Sequence, residues 1–381
     1  MRWDRSYKAR FYAMTVNPKT WYDRDRINLT SGSVAKANSG LRNSAEFTAE
    51  YEDDFTERLV RIYVDAVQGE EIVHEPIFTG YAINPSTDIN GKLKTQKTTC
   101  YSVLKPADDV LLPRGWYAGV GSNAIKVIRD LLSVSPAPFE PDPDDDDYKN
   151  APKLTRNILA EDGETRLTMA DKIVKAMSGW RLDIKGDGTI VVYQYDNNTT
   201  QVFDAEDMDI IEPALKITKD WFNVPNVYRV TMENVSAICR DDNENSPYST
   251  VSRGREVWAE ENGAQLTEGE SLAQYTKRRL KEAQQVATEV SYTRGFVPDI
   301  DIGDVIRLRY EEVQGKFRVT SQNIELSHAI RTSEQAERID YDIESKPVQY
   351  RTVPIMPDDF VLVMPNGEIV MIPEKRDEDD V

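Results

Sequence analysis

The feature that most constrains the fold is a strand-length alternation that recurs along the chain and is broken each time by turn residues. Residues 58–67 place Val60, Ile62 and Val64 on one face and Leu59, Arg61 and Tyr63 on the other. The first face is the more uniformly apolar, so it is the one expected to meet a core. Residues 11–16, 77–83 and 96–103 repeat the short β-type run, with Gly80 permitting a bulge and Asn90-Gly91 marking a turn. Strands of this length at this spacing predict a small barrel or sandwich over residues 1–105.

Residues 106–200 change period. Ala124, Ile125, Val127, Ile128, Leu131 and Leu132 follow a candidate N-cap at Ser122, and Leu167, Ala170, Ile173, Val174 and Met177 follow Arg166 and stop before Gly179. A hairpin of residues 180–184 and 189–195 turns around Lys185-Gly186-Asp187-Gly188. The proline-rich stretch 136–152, with acids at Asp142 and Asp144 through Asp147, is expected to be an exposed, mobile loop.

β-type runs return at 224–232, 236–240, 248–258, 305–310, 316–326 and 337–343, with a polar loop at 241–247. A helix over residues 271–290 carries an imperfect stripe of Leu272, Tyr275, Leu280, Ala283, Ala287 and Val290. Beyond residue 345, runs at 360–364 and 368–372 flank Pro365-Asn366-Gly367, a hairpin that needs a neighbour to lean on. The expected class is therefore α+β and mainly β. Two β-barrel-like domains, 1–105 and 201–345 with its inserted helix, flank a small α+β domain at 106–200. A C-terminal hairpin and acidic tail occupy 346–381.

The length of 381 residues predicts about two to four domains. A net charge of −19 repels nucleic-acid phosphate. No apolar run approaches the roughly 20 residues that span a bilayer. Met1-Arg2-Trp3-Asp4-Arg5-Ser6 is charged with no apolar stretch behind it, so no signal peptide is expected. Cys100 and Cys239 read as buried apolar residues, not as a disulfide. With two histidines, His74 and His328, the usual zinc sites and a histidine-based triad are poorly supplied. The acids at 142–147 lack the glycine turn and distal glutamate of a calcium loop. Gly186 and Gly188 form a turn with no phosphate-loop sequence after it. Lys277-Arg278-Arg279-Leu280-Lys281 reads as a solvated face or as an ion-pairing contact with a neighbouring subunit. No catalytic, cofactor-binding or metal-ligating residue is assigned, and no cofactor is expected.

In their order and spacing, several local patterns resemble the baseplate hub proteins of tailed phages and related contractile machines. They are Phe78-Thr79-Gly80-Tyr81; Cys100-Tyr101-Ser102-Val103-Leu104 leading to Leu112-Pro113-Arg114-Gly115-Trp116-Tyr117; and Gly179-Trp180-Arg181-Leu182 followed by Asp187-Gly188. Further along come Asn223-Val224-Pro225-Asn226-Val227; Ser246-Pro247-Tyr248-Ser249 followed by Arg253-Gly254-Arg255; and Ile302-Gly303-Asp304-Val305-Ile306. The resemblance covers nearly all of residues 1–345.

It implies a non-enzymatic structural protein at the distal tail tip of a virion, assembled in the host cytoplasm. It also implies a homotrimer whose six barrel-like domains form a pseudo-sixfold ring through which DNA passes without specific binding. The implied neighbours are the distal tail protein, the tail tube protein, the tape-measure protein and a tip fibre or spike. The charge balance predicts an acidic lumen. The alternative is a tail-associated hydrolase acting on host surface polymer, which needs a cleft with convergent acids. A secreted adhesin or carbohydrate-binding module is a third reading, opposed by the N-terminus.

Overall fold

The computed structural model describes residues 8–50, 57–91, 93–177, 179–194, 198–204, 215–219, 222–232, 235–262, 266, 270–285, 288–298, 300–310, 313–339, 348–354, 360–363 and 369–371. The chain is mainly β and divides into two compact units, Met1–Ile217 with Glu289–Ile339, and Thr218–Thr288 with Asp340–Val381.

The first unit opens with seven strands: β1 (Lys8–Val16), β2 (Asp23–Ile27), β3 (Leu29–Ala37), β4 (Asn43–Glu50), β5 (Leu59–Gln68), β6 (Glu71–Asn90) and β7 (Leu93–Ser102). Then come α1 (Lys105–Asp109), β8 (Tyr117–Ala118), α2 (Ala124–Leu132), β9 (Phe139–Glu140), α3 (Asp146–Lys149), β10 (Ile158–Leu159), α4 (Arg166–Ala176), β11 (Trp180–Ile184), β12 (Ile190–Gln194), β13 (Thr199–Asp204) and β14 (Lys216–Lys219). The second unit supplies β15 (Val227–Met232), β16 (Val235–Arg240), α5 (Thr250–Arg253), β17 (Trp258–Asn262) and α6 (Leu272–Gln285). The chain returns to the first unit for β18 (Thr288–Gly295), β19 (Val305–Arg309), β20 (Gln314–Leu326) and β21 (Arg331–Arg338), and ends in the second with β22 (Val348–Pro354), β23 (Phe360–Val363) and β24 (Ile369–Met371).

The alternation at 58–67 does what it predicts. Val60, Ile62 and Val64 are fully buried on β5, together with Phe78, Phe47 and Cys100. One large sheet runs β14-β18-β21-β20-β3-β4-β7-β6-β5-β1-β2, and β19 joins it through β20. Among the described residues this path stays open at both ends and does not close into a barrel. The two β-rich segments meet edge to edge on β20. A register shift between Val319 and Ser321 divides that strand, so that Gln314–Arg318 pairs with β19 and Ser321–Leu326 pairs with β3. The β2 edge reads Asp23-Arg24-Asp25-Arg26, a charged edge that resists casual strand addition.

The inserted α+β part packs α2 and α4 around Ile125, Ile128, Leu131, Leu167, Ile173 and the hairpin β11–β12. α2 is capped by Asn123, one residue later than Ser122, because the Asn123 side chain accepts from the Lys126 amide while the Ser122 carbonyl accepts from the Leu154 amide. The stretch 136–152 is not the free loop expected. Phe139 packs on the core, β9 runs parallel to β12, and α3 forms at Asp146–Lys149, although the aspartates stay exposed.

In the second unit a sheet ordered β17-β15-β16-β22-β23-β24 carries α6 on one face through Leu272, Tyr275 and Leu280. The helix ends at Gln285, five residues short of the expected end. Val290, assigned to its stripe, lies fully buried on β18 of the first unit, where a β-branched residue packs well. Residues 248–258 are not a strand: the Ser249 hydroxyl caps a short α5, and β17 begins only at Trp258. The last strand before the tail is Arg331–Arg338, earlier than the expected 337–343, and residues 340–347 lie outside the described ones. The C-terminal hairpin leans on its own chain, since β23 pairs with β22 and β22 with β16. Its turn, 364–368, falls outside the described residues.

Candidate functional site

Two buried polar knots, one in each unit, hold the irregular segments of the molecule. In the first unit the turn at 185–188 lies on β6. The Thr79 hydroxyl donates to the Gly186 carbonyl at 2.8 Å, and Trp21 Nε1 and Arg61 Nη2 both donate to the Asp187 carbonyl at 2.9 Å. Arg61 continues to Asp23 at 2.8 Å and Thr79 at 3.1 Å. The glycines have a steric cause. A Cβ on Gly186 would sit 1.6 Å from the Pro76 carbonyl oxygen, and one on Gly188 would sit 2.8 Å from Thr79 and Trp21. The turn glycines and the Phe78-Thr79-Gly80-Tyr81 pattern, far apart in sequence, thus form a single contact.

The same hairpin receives the Ile302-Gly303-Asp304 loop. Gly303 adopts φ +92°, and a Cβ there would lie 2.6 Å from Arg181 Nη1 and 2.8 Å from the Tyr193 hydroxyl. Beside this contact is a cleft of about 490 Å³ lined in part by Glu140, Asp183, Asp301 and Asp304. Three of its acids are paired: Glu140 with Lys185 at 2.6 Å, Asp183 with Arg181 at 2.9 Å and Asp301 with Lys36 at 2.7 Å. Burial pushes the Asp183 carboxyl above its ordinary range, against the pull of Arg181. Deeper in the sheet Arg294 and Glu334 form a fully buried two-point pair, at 2.5 and 3.0 Å, and Gln322 donates to the same carboxylate at 2.7 Å.

In the second unit the knot is built around Asn226 and Asp241, both wholly buried. Asn226 Nδ2 donates to the carbonyls of Tyr248 and Arg255 at 3.0 and 2.8 Å, and its Oδ1 accepts the Val257 amide at 2.7 Å. Asp241 accepts from the Ser246 hydroxyl at 2.6 Å and from Gln284 at 3.0 Å. These bonds shape the loop 241–257 and present Arg253-Gly254-Arg255 at its end. Nearby, Glu261 accepts from Tyr275 at 2.5 Å and Arg279 at 2.7 Å. Burial alone would raise this carboxyl, but those donors outweigh it and hold it below its ordinary range.

No site residue was assigned from sequence, and what the structure adds are these knots. Two members of the basic cluster on α6 are engaged within the chain: Arg278 pairs with Glu270 and Glu282, and Arg279 with Glu261 and Glu282. Cys100 and Cys239 are buried and are not joined in a disulfide, and burial raises the Cys100 thiol. His74 contacts Asp65 at 2.8 Å on the surface. Among the described residues no group of three or more His, Cys, Asp or Glu is placed to hold a metal ion, and no helix is long and apolar enough to cross a membrane.

No protein-family model matches the sequence, and no curated protein matches it. Solved structures do match it across most of its length. A tail protein from Neisseria meningitidis MC58 is similar over 87% of this chain and 97% of that one, with a TM-score of 0.63 at 14% identity. A prophage MuSo2 tail protein of 43 kDa from Shewanella oneidensis is similar over 87% and 98%, also at 0.63, with 11% identity. A prophage tail protein from Listeria monocytogenes EGD-e is similar over 87% and 95%, with a TM-score of 0.51 at 11% identity. The fold that the sequence resemblance implied is the fold of the chain: it is that of phage and prophage tail proteins.

Proposed function

We propose that this chain is a structural, non-enzymatic component of a phage-type tail, acting as the hub of its baseplate or tip. The observation that carries the reading is the likeness in fold to solved tail proteins over 87% of this chain and nearly all of theirs. The physical character of the molecule supports it. Loops and turns are tied down by buried hydrogen bonds to backbone groups, as in the contacts of Arg61 and Asn226, which makes a stiff wall segment.

In this reading three copies form a ring of pseudo-sixfold symmetry, with the β-rich segments 1–105 and 201–345 supplying the wall. Residues 106–200 and 346–381 supply the parts between and after them. The ring joins the tail tube to the tip and contacts the distal tail protein, the tube protein, the tape-measure protein and a fibre or spike. DNA passes through without specific contacts, along an acidic wall that keeps the duplex sliding.

Gold-labelled antibody against this chain, applied to purified tail particles, tests the placement. The expected result is labelling at the distal end and three copies per particle by quantitative mass spectrometry. Labelling along the shaft, or absence from particles, would contradict it.

A further inference from the structure

In a chain with 47 basic and 66 acidic residues, arginines find carboxylates readily. In the second unit Arg229 pairs with Glu260, Arg240 with Glu256, Arg278 with Glu270 and Arg279 with Glu261. Arg253 and Arg255 differ. Their hydrogen bonds go to backbone carbonyls: Arg253 to Val224 and Phe222, both at 2.7 Å, and Arg255 to Phe222 at 2.6 Å. The Arg255 guanidinium lies 4.1 Å over the ring of Phe222, which is 70% exposed. The adjacent Glu256 is held by Arg240 and by the Trp258 indole. Burial and the charge of Arg255 both depress the Arg253 pKa, as two cations without a counter-charge require. Among the described residues neither arginine has a carboxylate within ion-pairing distance.

The opposite situation occurs in the first unit. Asp144, Asp146 and Asp147 are exposed and have no cationic partner among the described residues; the nearby Lys149 donates to the Asp144 carbonyl, not to a carboxylate. Among the described residues, each copy of the chain therefore carries a cationic patch in its second unit and an anionic patch in its first.

We propose that Arg253 and Arg255, on their Phe222 platform, dock the run from Asp144 to Asp147 of a second copy of this chain. The inference rests on the ring reading above. Two different complementary patches make a head-to-tail contact, the kind that generates closed rings. The guanidiniums are already oriented by backbone carbonyls, so little side-chain freedom is lost on pairing, and forked donors suit carboxylates. Nucleic acid is the less favoured occupant, because the chain as a whole, at −19 net, repels it.

Charge reversal on the full chain tests the contact. Sedimentation equilibrium would compare wild type, Arg253→Glu with Arg255→Glu, Asp144→Lys with Asp146→Lys and Asp147→Lys, and all five changes together. Each reversal alone should weaken self-association by about tenfold or more, and the combination should return it to within about threefold of wild type. The neutral pair Arg253→Gln with Arg255→Gln should fall between. Unchanged association in the single reversals, or no recovery in the combination, overturns the proposal.

If wild type does not self-associate, the ring reading fails, and a labelled synthetic peptide of residues 141–149 decides the docking separately. Saturable binding lost in Arg253→Glu with Arg255→Glu upholds the site. No binding at millimolar peptide overturns it, as does arginine-dependent binding of duplex DNA in place of the peptide.

Discussion

The knot around the 185–188 turn in the first unit and the knot beneath the 241–257 loop in the second solve the same problem with opposite use of charge. Both tie irregular backbone to a sheet through buried polar side chains. In the first, an arginine is the tie, and its charge is answered on the spot by Asp23. In the second, the ties are the neutral amide of Asn226 and the carboxylate of Asp241, and Arg253 and Arg255 of the loop stay at its surface on backbone carbonyls, with no carboxylate partner among the described residues. The contrast separates two duties. Charge spent inside the first unit stabilises a junction, while charge left outside on the second is available to a partner.

The largest effect that could break this comparison is steric. Gly186→Ala drives a methyl into the Pro76 carbonyl, 1.6 Å away in the native geometry, and should cost about 3 kcal/mol or more by urea denaturation. A change under about 0.5 kcal/mol would mean that the turn does not bear on β6. Next is Asn226→Ala, which strands two carbonyls and an amide and should cost about 2–3 kcal/mol, with loss of hydrogen-exchange protection confined to the second unit. Arg61→Met should cost about 2 kcal/mol, since Asp23 is partly exposed and can turn to water. If the arginines of the second unit serve a partner and not the fold, Arg253→Gln with Arg255→Gln should change stability by only about 0.5 kcal/mol. A loss as large as that of Asn226→Ala would erase the distinction.

The smallest effect is on pH response, where the two units have opposite signs. Asp183, raised by burial, takes up its proton in the folded state before the unfolded chain does, so its contribution to stability grows as pH falls between those two points. Glu261, held low by Tyr275 and Arg279 despite its burial, contributes fully above the unfolded value and loses that contribution as pH falls through its folded one. On acidification from about pH 5 to about pH 3, amides of the second unit should lose protection first. Simultaneous loss in both units would show that neither carboxyl governs the transition.

How much of this was legible in the sequence depends on the range of the interaction. The apolar rhythms of β5, α2, α4 and the β11–β12 hairpin are local and strong, and they appear where the pattern puts them. Strands β2, β3 and β4 escaped notice because their inward positions are filled by small residues, such as Ala45 and Ala49, or because the strand is a charged edge. The helix end was misplaced because Val290 continues the stripe of α6 by spacing while belonging to β18 by pairing. The pairing of β3 with β20 brings Val34 opposite Ile324, and no local window contains both. The candidate site was partly visible: Asn226, Ser246 and Arg253 all fall within patterns singled out by resemblance. That one amide joins three of those segments is a property of the folded backbone alone.

The central claim is that copies of this chain close into a threefold ring. Mass photometry followed by electron-microscopic class averaging of the purified full chain, taken to the high local concentration of a tail tip, measures it directly. The account predicts particles of three times the 43.4 kDa chain mass with an open centre and six similar wall lobes. A population that stays monomeric at that concentration, or that closes with another symmetry, would contradict it.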